Sequence, residues 1–180
     1  MDLELKKLNK DNDEDIKAFE QIYLEAFPAS ERMGFDELFD YEADTRTDIL
    51  GIYDDGQRIG FAVVLANSEC GYIYYLAIDS RVRSKGYGSA ALQKLKEVYS
   101  ELQLILDFEK IDENAENNGQ RVRRKSFYLQ NGFSETGNYT IMRDERFEVV
   151  CVGGELNKPA FKDLIHIINT RCPEFEDLLI

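Results

Sequence analysis

The 180-residue sequence contains few of the side chains that most often bind metals or form covalent crosslinks. Its three cysteines, Cys70, Cys151 and Cys172, are an odd number without Cys-x-x-Cys spacing, so they indicate neither a disulfide framework nor a zinc site. His166 is the only histidine, which excludes a multi-histidine metal site within one chain and makes any Ser-His-Asp triad depend on this residue. We therefore expect no metal, and the scarce cysteines favour a reducing, cytoplasmic compartment.

Long apolar runs and an excess of basic residues are also missing. The acidic N-terminus lacks the pattern of a signal peptide, and no apolar run approaches membrane-spanning length, so we expect a soluble protein without a membrane partner. A net charge of -13 at pH 7 and a pI of about 4.6 disfavour nucleic acid as a partner, because phosphate binding needs a basic face. A cationic ligand such as an amine fits this charge better, although acidity also serves solubility alone.

The apolar residues, 43% of the sequence, follow the periodicities of strands and helices. Short turns between three strand segments predict an antiparallel meander, and a helix between two further strands predicts one parallel pair. We expect a mixed α/β fold, with a mostly antiparallel sheet, one parallel pair and helices on both faces. Residues 1–180 should form a single domain, with a core over about 1–152 and a C-terminal strand and helix extension over 153–180. The predicted strands cover 3–8, 48–53, 59–66, 70–78, 102–108, 133–142 and 147–152, and the predicted helices cover 13–27, 31–46, 87–99, 120–130 and 158–170.

A glycine-containing loop with two basic side chains follows the strand 70–78. Residues 83–88 read Arg-Ser-Lys-Gly-Tyr-Gly and precede a helix that begins near Ser89. Glycines let the backbone approach a ligand closely, and the free N–H groups of a helix start point towards an anion. Arg83 and Lys85 add positive charge in an otherwise acidic chain. The loop therefore predicts a site for a diphosphate.

A nicotinamide dinucleotide is an alternative ligand for this loop. The pattern Gly86-x-Gly88-x-x-Ala91 matches the dinucleotide fingerprint, and Asp107 follows about 20 residues later. However, seven residues separate the strand from the first glycine, and a meander precedes the loop instead of alternating strands and helices. These features disfavour a dinucleotide fold, and the lack of a following Gly-Lys-Ser/Thr sequence excludes a P-loop.

Two motifs occur in a fixed order along the chain. Residues 83–88 match the pattern Gln/Arg-x-x-Gly-x-Gly/Ala, and residues 76–78, Leu-Ala-Ile, match the strand run that precedes it. Residues 127–133, Phe-Tyr-Leu-Gln-Asn-Gly-Phe, match an aromatic-Tyr-x-x-x-Gly-Phe segment. Together these motifs resemble the GNAT superfamily of N-acetyltransferases, over about residues 1–152. Arg121 departs from the pattern, because it stands where many members have an asparagine.

The resemblance implies acetyl-CoA as the co-substrate, with its pyrophosphate bound by main-chain donors of the loop. It also implies that the pantetheine arm adds alongside the strand end, where the Ile78 N–H donates to the developing oxyanion. Tyr128 is implied as the general acid, because a phenol with a pKa near 10 is protonated at neutral pH; a core tyrosine is the alternative. The predicted coenzyme-binding residues are Leu76, Ala77, Ile78, Arg83, Ser84, Lys85, Gly86, Tyr87, Gly88 and Ser89.

The general base is predicted from the strand 102–108 and the residue after it. Asp107 and Glu109 alternate with Leu106 and Phe108, so both carboxylates should point to one face of this strand. Glu109 lies nearer the carboxyl end of the strand and is the predicted base, directly or through a water molecule. Two solvated carboxylates at a strand end are the alternative.

The basic residues of the next helix have two alternative partners. Arg121, Arg124 and Lys125 either contact the phosphates of the coenzyme or pair with acidic neighbours, and the acidic composition favours pairing.

Only the chemical class of the acceptor can be predicted from the sequence. We expect direct transfer of the acetyl group, in a ternary complex, to a primary amine of a small molecule or peptide. Cys70 and Cys151 resemble small buried strand residues, so no acyl-cysteine intermediate is expected. A non-catalytic module that senses an acyl-CoA is the alternative from another functional class. The segment 153–180 packs either on its own sheet or on a second copy, as in a homodimer, and the sequence leaves both open.

Overall fold

The computed structural model describes residues 2–83 and 85–179, and these ranges contain eight β-strands and four α-helices. The strands are β1 (Glu4–Lys7), β2 (Arg46–Asp54), β3 (Gln57–Ala66), β4 (Cys70–Ile78), β5 (Gln103–Glu109), β6 (Ser134–Met142), β7 (Glu145–Cys151) and β8 (Phe175–Leu178). The helices are α1 (Asp13–Ala26), α2 (Tyr87–Val98), α3 (Asn118–Gln130) and α4 (Lys158–Arg171). No helix within the described ranges combines the length and the apolar composition needed to cross a bilayer.

The strands form one mixed sheet in the order β1-β2-β3-β4-β5-β7-β6-β8. β4 and β5 are parallel, with Cys70 opposite Gln103 and Tyr72 opposite Ile105. The pairs β1–β2, β2–β3, β5–β7, β6–β7 and β6–β8 are antiparallel. The parallel pair follows from the connection through α2, because a helical crossover returns the chain in its original direction. The predicted α/β class, with a mostly antiparallel sheet and one parallel pair, is confirmed.

The chain forms two compact units. The first comprises Met1–Ala66 and Ile73–Ser100, and the second comprises Asn67–Tyr72 and Glu101–Ile180. Each unit has its own buried aromatic residues. The first buries Phe19, Tyr23 and Phe61, and the second buries Tyr72 and Phe161. The single domain over residues 1–180 stays a prediction.

Helix α1 begins where the sequence provides a cap. The Asn12 side chain accepts a hydrogen bond from the Asp15 N–H at 3.3 Å, and acidic residues in the first turn complement the positive helix start. The buried face consists of Ile16, Phe19, Ile22 and Tyr23. The helix ends at Ala26, two residues before Pro28, so the predicted position of this helix is confirmed.

The predicted helix 31–46 has a different form in the structure. The segment Asp36–Ala43 is a 3-10 helix, because the fully buried Leu38 and Tyr41, three positions apart, align on one side of such a helix. On α2 the buried residues are Ala91, Leu92 and Leu95, whereas Val98 is 51% exposed. The C-terminal segment 153–180, expected to hold a strand and a helix, contains α4 and β8, and the buried Phe175 of β8 lies opposite Met142 of β6.

Candidate functional site

The loop predicted to bind a diphosphate lies in the first unit, between β4 and α2. The Asp79 N–H donates to the Ile59 carbonyl at 2.8 Å, which ties the end of β4 to β3. The Asp79 carboxylate accepts from the Arg81 N–H at 2.9 Å and pairs with the Arg81 guanidinium, and this hydrogen bonding lowers the pKa of Asp79. Arg83 Nε donates to the Ile78 carbonyl at 3.1 Å. Basic side chains of the loop thus fix its first half against the strand end.

The second half of the loop turns into α2 at Gly86. Gly86 has φ 83° and ψ 0°, a left-handed conformation that glycine adopts without a steric penalty. The first intrahelical bond is donated by the Ala90 N–H to the Gly86 carbonyl at 3.1 Å. The N–H groups of Tyr87, Gly88 and Ser89 precede that bond, so they lack an intrahelical acceptor. No side chain caps this helix start within the described part of the chain, which leaves a set of donors at the positive end of a helix.

The strand end and the helix start pack on one apolar cluster of the first unit. Leu76, Ile78 and Tyr87 contact this cluster, which is formed by the buried residues Leu3, Ile52, Ile59 and Ala91. On β3, Gly60 approaches the same strand end so closely that an added Cβ would lie 2.1 Å from the Ala77 carbonyl oxygen. Glycine at this position therefore lets the β4 backbone pass close to β3 before it enters the loop.

The predicted coenzyme-binding residues differ in exposure. Ala77 is buried, and Leu76, Ile78, Tyr87 and Gly88 are half-buried. The side chains of Arg83, Lys85 and Ser89 are exposed, as is Gly86. The predicted contact at Ser84 lies outside the described residues. The structure thus brings the other nine residues together around one strand end and one helix start.

Tyr128, the predicted acid, lies on α3 in the second unit. Its ring stacks on Phe108 of β5, with centroids 5.4 Å apart and planes 24° apart, and meets Phe133 edge-on. Burial raises the pKa of the Tyr128 hydroxyl; the nearby Arg124 charge opposes this shift and the Asp107 charge adds to it. The aromatic contacts fix the ring, and the raised pKa keeps the hydroxyl protonated at neutral pH.

Glu109, the predicted base, ends β5 in a network of ion pairs. It is 6% exposed, its Oε2 accepts from Arg124 at 2.6 Å, and its Oε1 accepts from Asn117 at 2.8 Å. Arg121 lies 3.3 Å from Oε1 and also pairs with Glu145. Two guanidinium groups occupy both of its oxygens, Arg124 at Oε2 and Arg121 at Oε1. These contacts favour a structural role for Glu109, which holds the start of α3 on β5. Glu109 is therefore not the solvated carboxylate that was the alternative prediction.

Asp107, two residues earlier on β5, has neutral partners instead. The Thr140 hydroxyl donates to its Oδ2, and the Tyr72 hydroxyl is a second hydrogen-bonding neighbour. Burial outweighs these bonds and raises the pKa of Asp107 to about 6. The side chain is only half-buried, so solvent reaches it. Strand alternation pointed to this residue together with Glu109, but the neighbours that distinguish the two come from other elements.

The basic face of α3 is neutralised by acidic residues. Arg121 and Arg124 both pair with Glu109. Lys125 contacts Glu148 at 2.8 Å and also pairs with Glu135. The expectation that these three basic side chains have acidic neighbours is confirmed.

The three cysteines are poor nucleophiles, and the histidine lies at the surface. All three cysteines are buried, and burial raises their thiol pKa, to about 12 for Cys70, which disfavours a nucleophilic thiolate. His166 is exposed on α4. Among the described residues, no three acidic, histidine or cysteine side chains form a group that could hold a metal ion.

Comparison with known sequences gives one clear match. A sequence model of the acetyltransferase (GNAT) family matches residues 16–133, which is more than half of the chain. No curated protein sequence matches the chain.

Solved structures share the fold at low sequence identity. A Bacteroides thetaiotaomicron protein assigned to the GNAT family as an acetyltransferase is 21% identical, with a TM-score of 0.76 over 93% of this chain and 96% of that chain. The ribosomal-protein-S18-alanine N-acetyltransferase from Escherichia coli is 16% identical, with a TM-score of 0.60 over 86% and 96%. A GNAT family acetyltransferase from Elizabethkingia anophelis with acetyl-CoA bound is 11% identical, with a TM-score of 0.54 over 86% and 98%. These similarities concern the fold.

Proposed function

Because the chain belongs to the GNAT acetyltransferase family, we propose that it transfers an acetyl group from acetyl-CoA to a primary amine. The observation that carries this proposal is the start of α2, where a left-handed Gly86 opens a helix whose first N–H groups have no side-chain cap among the described residues. Such a helix start fits the pyrophosphate of a coenzyme. The acetyl-CoA bound to the Elizabethkingia anophelis relative supports the same co-substrate here.

We assign the loop to coenzyme binding. Main-chain donors of residues 85–89 bind the pyrophosphate, and the exposed Arg83 and Lys85 add positive charge. The backbone of residues 76–78 accommodates the pantetheine arm, and the Ile78 N–H donates to the thioester oxygen as negative charge develops there. Acetyl-CoA supplies the activated acyl group as a thioester.

Tyr128 is the proposed acid in this reaction. A thiolate leaves when the thioester is cleaved, and a neutral phenol can protonate it. The raised pKa of Tyr128 keeps the proton on the phenol at neutral pH, and stacking on Phe108 fixes the direction of the ring. The proton is therefore present on the phenol in the resting protein, and the fixed ring direction supports its transfer to sulfur as the C–S bond breaks.

Asp107, rather than Glu109, is the proposed acceptor of the amine proton. A base works best when its pKa lies near the working pH, and the pKa of Asp107 is raised to about 6. The oxygens of Glu109 are already occupied by Arg121, Arg124 and Asn117, so they are not free to contact an incoming amine.

The proposed steps balance in bonds and protons. The amine nitrogen forms a bond to the acyl carbon, and the C–S bond breaks with its electron pair on sulfur. Tyr128 gives one proton to sulfur, and Asp107 takes one proton from nitrogen. Proton exchange with solvent restores both side chains, and the products are an amide and CoA.

The acceptor belongs to the class of small-molecule or peptide primary amines. The net charge of -13 favours a cationic acceptor, and an amine attached to further amino groups fits this charge. A peptide N-terminus is a second member of the same class.

A combined binding and turnover assay tests the proposal. Calorimetry measures the uptake of CoA and acetyl-CoA, while thiol release and mass spectrometry follow a panel of polyamines, aminoglycosides and peptide N-termini. We expect coenzyme binding, thiol release with at least one amine, and the corresponding N-acetylated product. Binding without turnover on any amine would favour the acyl-CoA sensor. No uptake of CoA at millimolar concentration would refute the proposal.

A further inference from the structure

A hydrogen bond links the start of α2 to the hairpin between β2 and β3. The Tyr87 hydroxyl donates to Asp54 Oδ2 at 2.7 Å, and this bond raises the pKa of Tyr87. Tyr87 is the first residue of α2, directly after Gly86. Asp54 is the last residue of β2, directly before the tight turn at Asp55 and Gly56, both of which have positive φ. The bond therefore joins the start of α2 to the turn between β2 and β3 within the first unit.

The ring of Tyr87 is held as well as its hydroxyl. It packs on the apolar cluster that includes Ile52, Ile59 and Ala91. Gly86 precedes it, and glycine populates positive and negative φ about equally, so this residue alone does not fix the direction of the helix start. With Tyr87 attached at its ring and at its oxygen, the conformation of Gly86 and of the donors after it is restricted before any ligand binds.

We propose that the Tyr87–Asp54 hydrogen bond presets the helix start for the phosphates of the coenzyme, so that both residues are positioning residues. This inference rests on the proposed function, because a fixed conformation of the helix start affects affinity only if the helix start binds the coenzyme. Binding to a preset loop costs less conformational entropy than binding to a mobile one. Loss of the bond should therefore weaken coenzyme affinity through the loop, beyond any general loss of stability.

Tyr99 offers a matched comparison at the other end of α2. Its hydroxyl donates to Asp48 Oδ2, also at 2.7 Å, and Asp48 also belongs to β2. Tyr99→Phe therefore removes the same kind of bond, to the same strand, from the residue that directly follows α2, far from Gly86. A purely structural role for Tyr87 would give both phenylalanine variants the same pattern of effects.

The experiment compares Tyr87→Phe, Asp54→Ala, their double variant, Asp54→Asn and Tyr99→Phe. The first readout is amide exchange at Ala90 in the free protein, whose N–H donates to Gly86. The second is the Kd for CoA by calorimetry. We expect Tyr87→Phe, Asp54→Ala and the double variant each to speed exchange and to raise the Kd by about 5-fold to 10-fold, without additivity. Asp54→Asn keeps an acceptor oxygen and should stay near wild type in exchange, as should Tyr99→Phe in both readouts.

Three outcomes would overturn the inference. One is wild-type exchange at Ala90 in Tyr87→Phe. Another is equally fast exchange in Tyr99→Phe, and the third is additive effects in the double variant. Failure of the wild type to bind CoA would refute the proposed function instead, and the exchange rates of the free protein would still decide whether the bond orders the helix start.

Discussion

Replacing Asp107 with asparagine should stabilise the protein while it impairs catalysis. The carboxyl pKa is about 6 in the folded protein and 3.8 ordinarily, so the folded state binds this proton more tightly than the unfolded chain. Wild-type stability should therefore fall as the pH rises from about 4 to about 6, and the loss persists at pH 7. The difference of about 2 pKa units corresponds to about 3 kcal/mol. Because solvent reaches the half-buried side chain, we expect a gain of about 1–3 kcal/mol for Asp107→Asn at pH 7.

Urea unfolding at several pH values measures this gain. An asparagine oxygen can still accept from Thr140, so the variant keeps the hydrogen bond and loses only the charge. The stabilisation should be full above pH 6 and should vanish near pH 4, where the wild-type carboxyl is neutral in the folded state. In steady-state assays, kcat/KM should fall by about 10²-fold or more, and the acid limb of the wild-type profile near pH 6 should disappear.

Glu109→Gln is the contrasting variant on the same strand. It leaves Arg121 and Arg124 without their shared carboxylate, so it should destabilise the protein by about 3–5 kcal/mol at pH 7. The reasoning would be refuted if Asp107→Asn were less stable than wild type at pH 7, or if its gain stayed constant down to pH 4. It would also be refuted if Asp107→Asn left kcat/KM unchanged while Glu109→Gln abolished it in a folded protein.

Two further substitutions test other parts of the site. Tyr128→Phe should lower kcat by about 10²-fold or more without weakening CoA binding. The control Tyr139→Phe, which changes another tyrosine of the second unit, should leave turnover near wild type. Equal rates for both variants would show that Tyr128 is not the acid. Gly60→Ala should cost about 3 kcal/mol in urea unfolding, because the new Cβ meets the Ala77 carbonyl oxygen at 2.1 Å. Gly119→Ala, whose Cβ meets only Arg123 at 3.7 Å, is its control, and similar midpoints for both would contradict the close contact.

Local sequence signals predicted the elements that depend on neighbouring residues. The Asn12 cap of α1 acts within three residues, and the positive φ of Gly86 before α2 is a property of one residue. The parallel pair followed from the chain connection alone. Predicting these features requires no information about distant contacts, so the residue pattern and the chemistry of nearby side chains were sufficient.

The roles of side chains at the candidate site depend on partners from distant segments. The Tyr87–Asp54 bond spans 33 positions, and no periodicity or motif signals it. The 3-10 helix at Asp36–Ala43 was equally hidden, because it depends on which side chains the first unit buries. Arg83, Ser84 and Lys85 were predicted as coenzyme-binding residues from a motif, whereas the bond of Arg83 to the Ile78 carbonyl could not be predicted from the sequence.

Asp107 and Glu109 show why alternation alone cannot assign a base. A period of two gives both carboxylates the same expected direction, yet α3 brings two guanidinium groups to Glu109, while Asp107 meets the hydroxyls of Thr140 and Tyr72. A carboxylate that is paired with cations contributes to the structure as an ion pair. A partly buried carboxylate with only neutral donors is less stable in its charged form, so it binds a proton more readily. The proposed base is therefore the carboxylate that the fold stabilises less, and the gain in stability expected when its charge is removed agrees with a functional role for that charge.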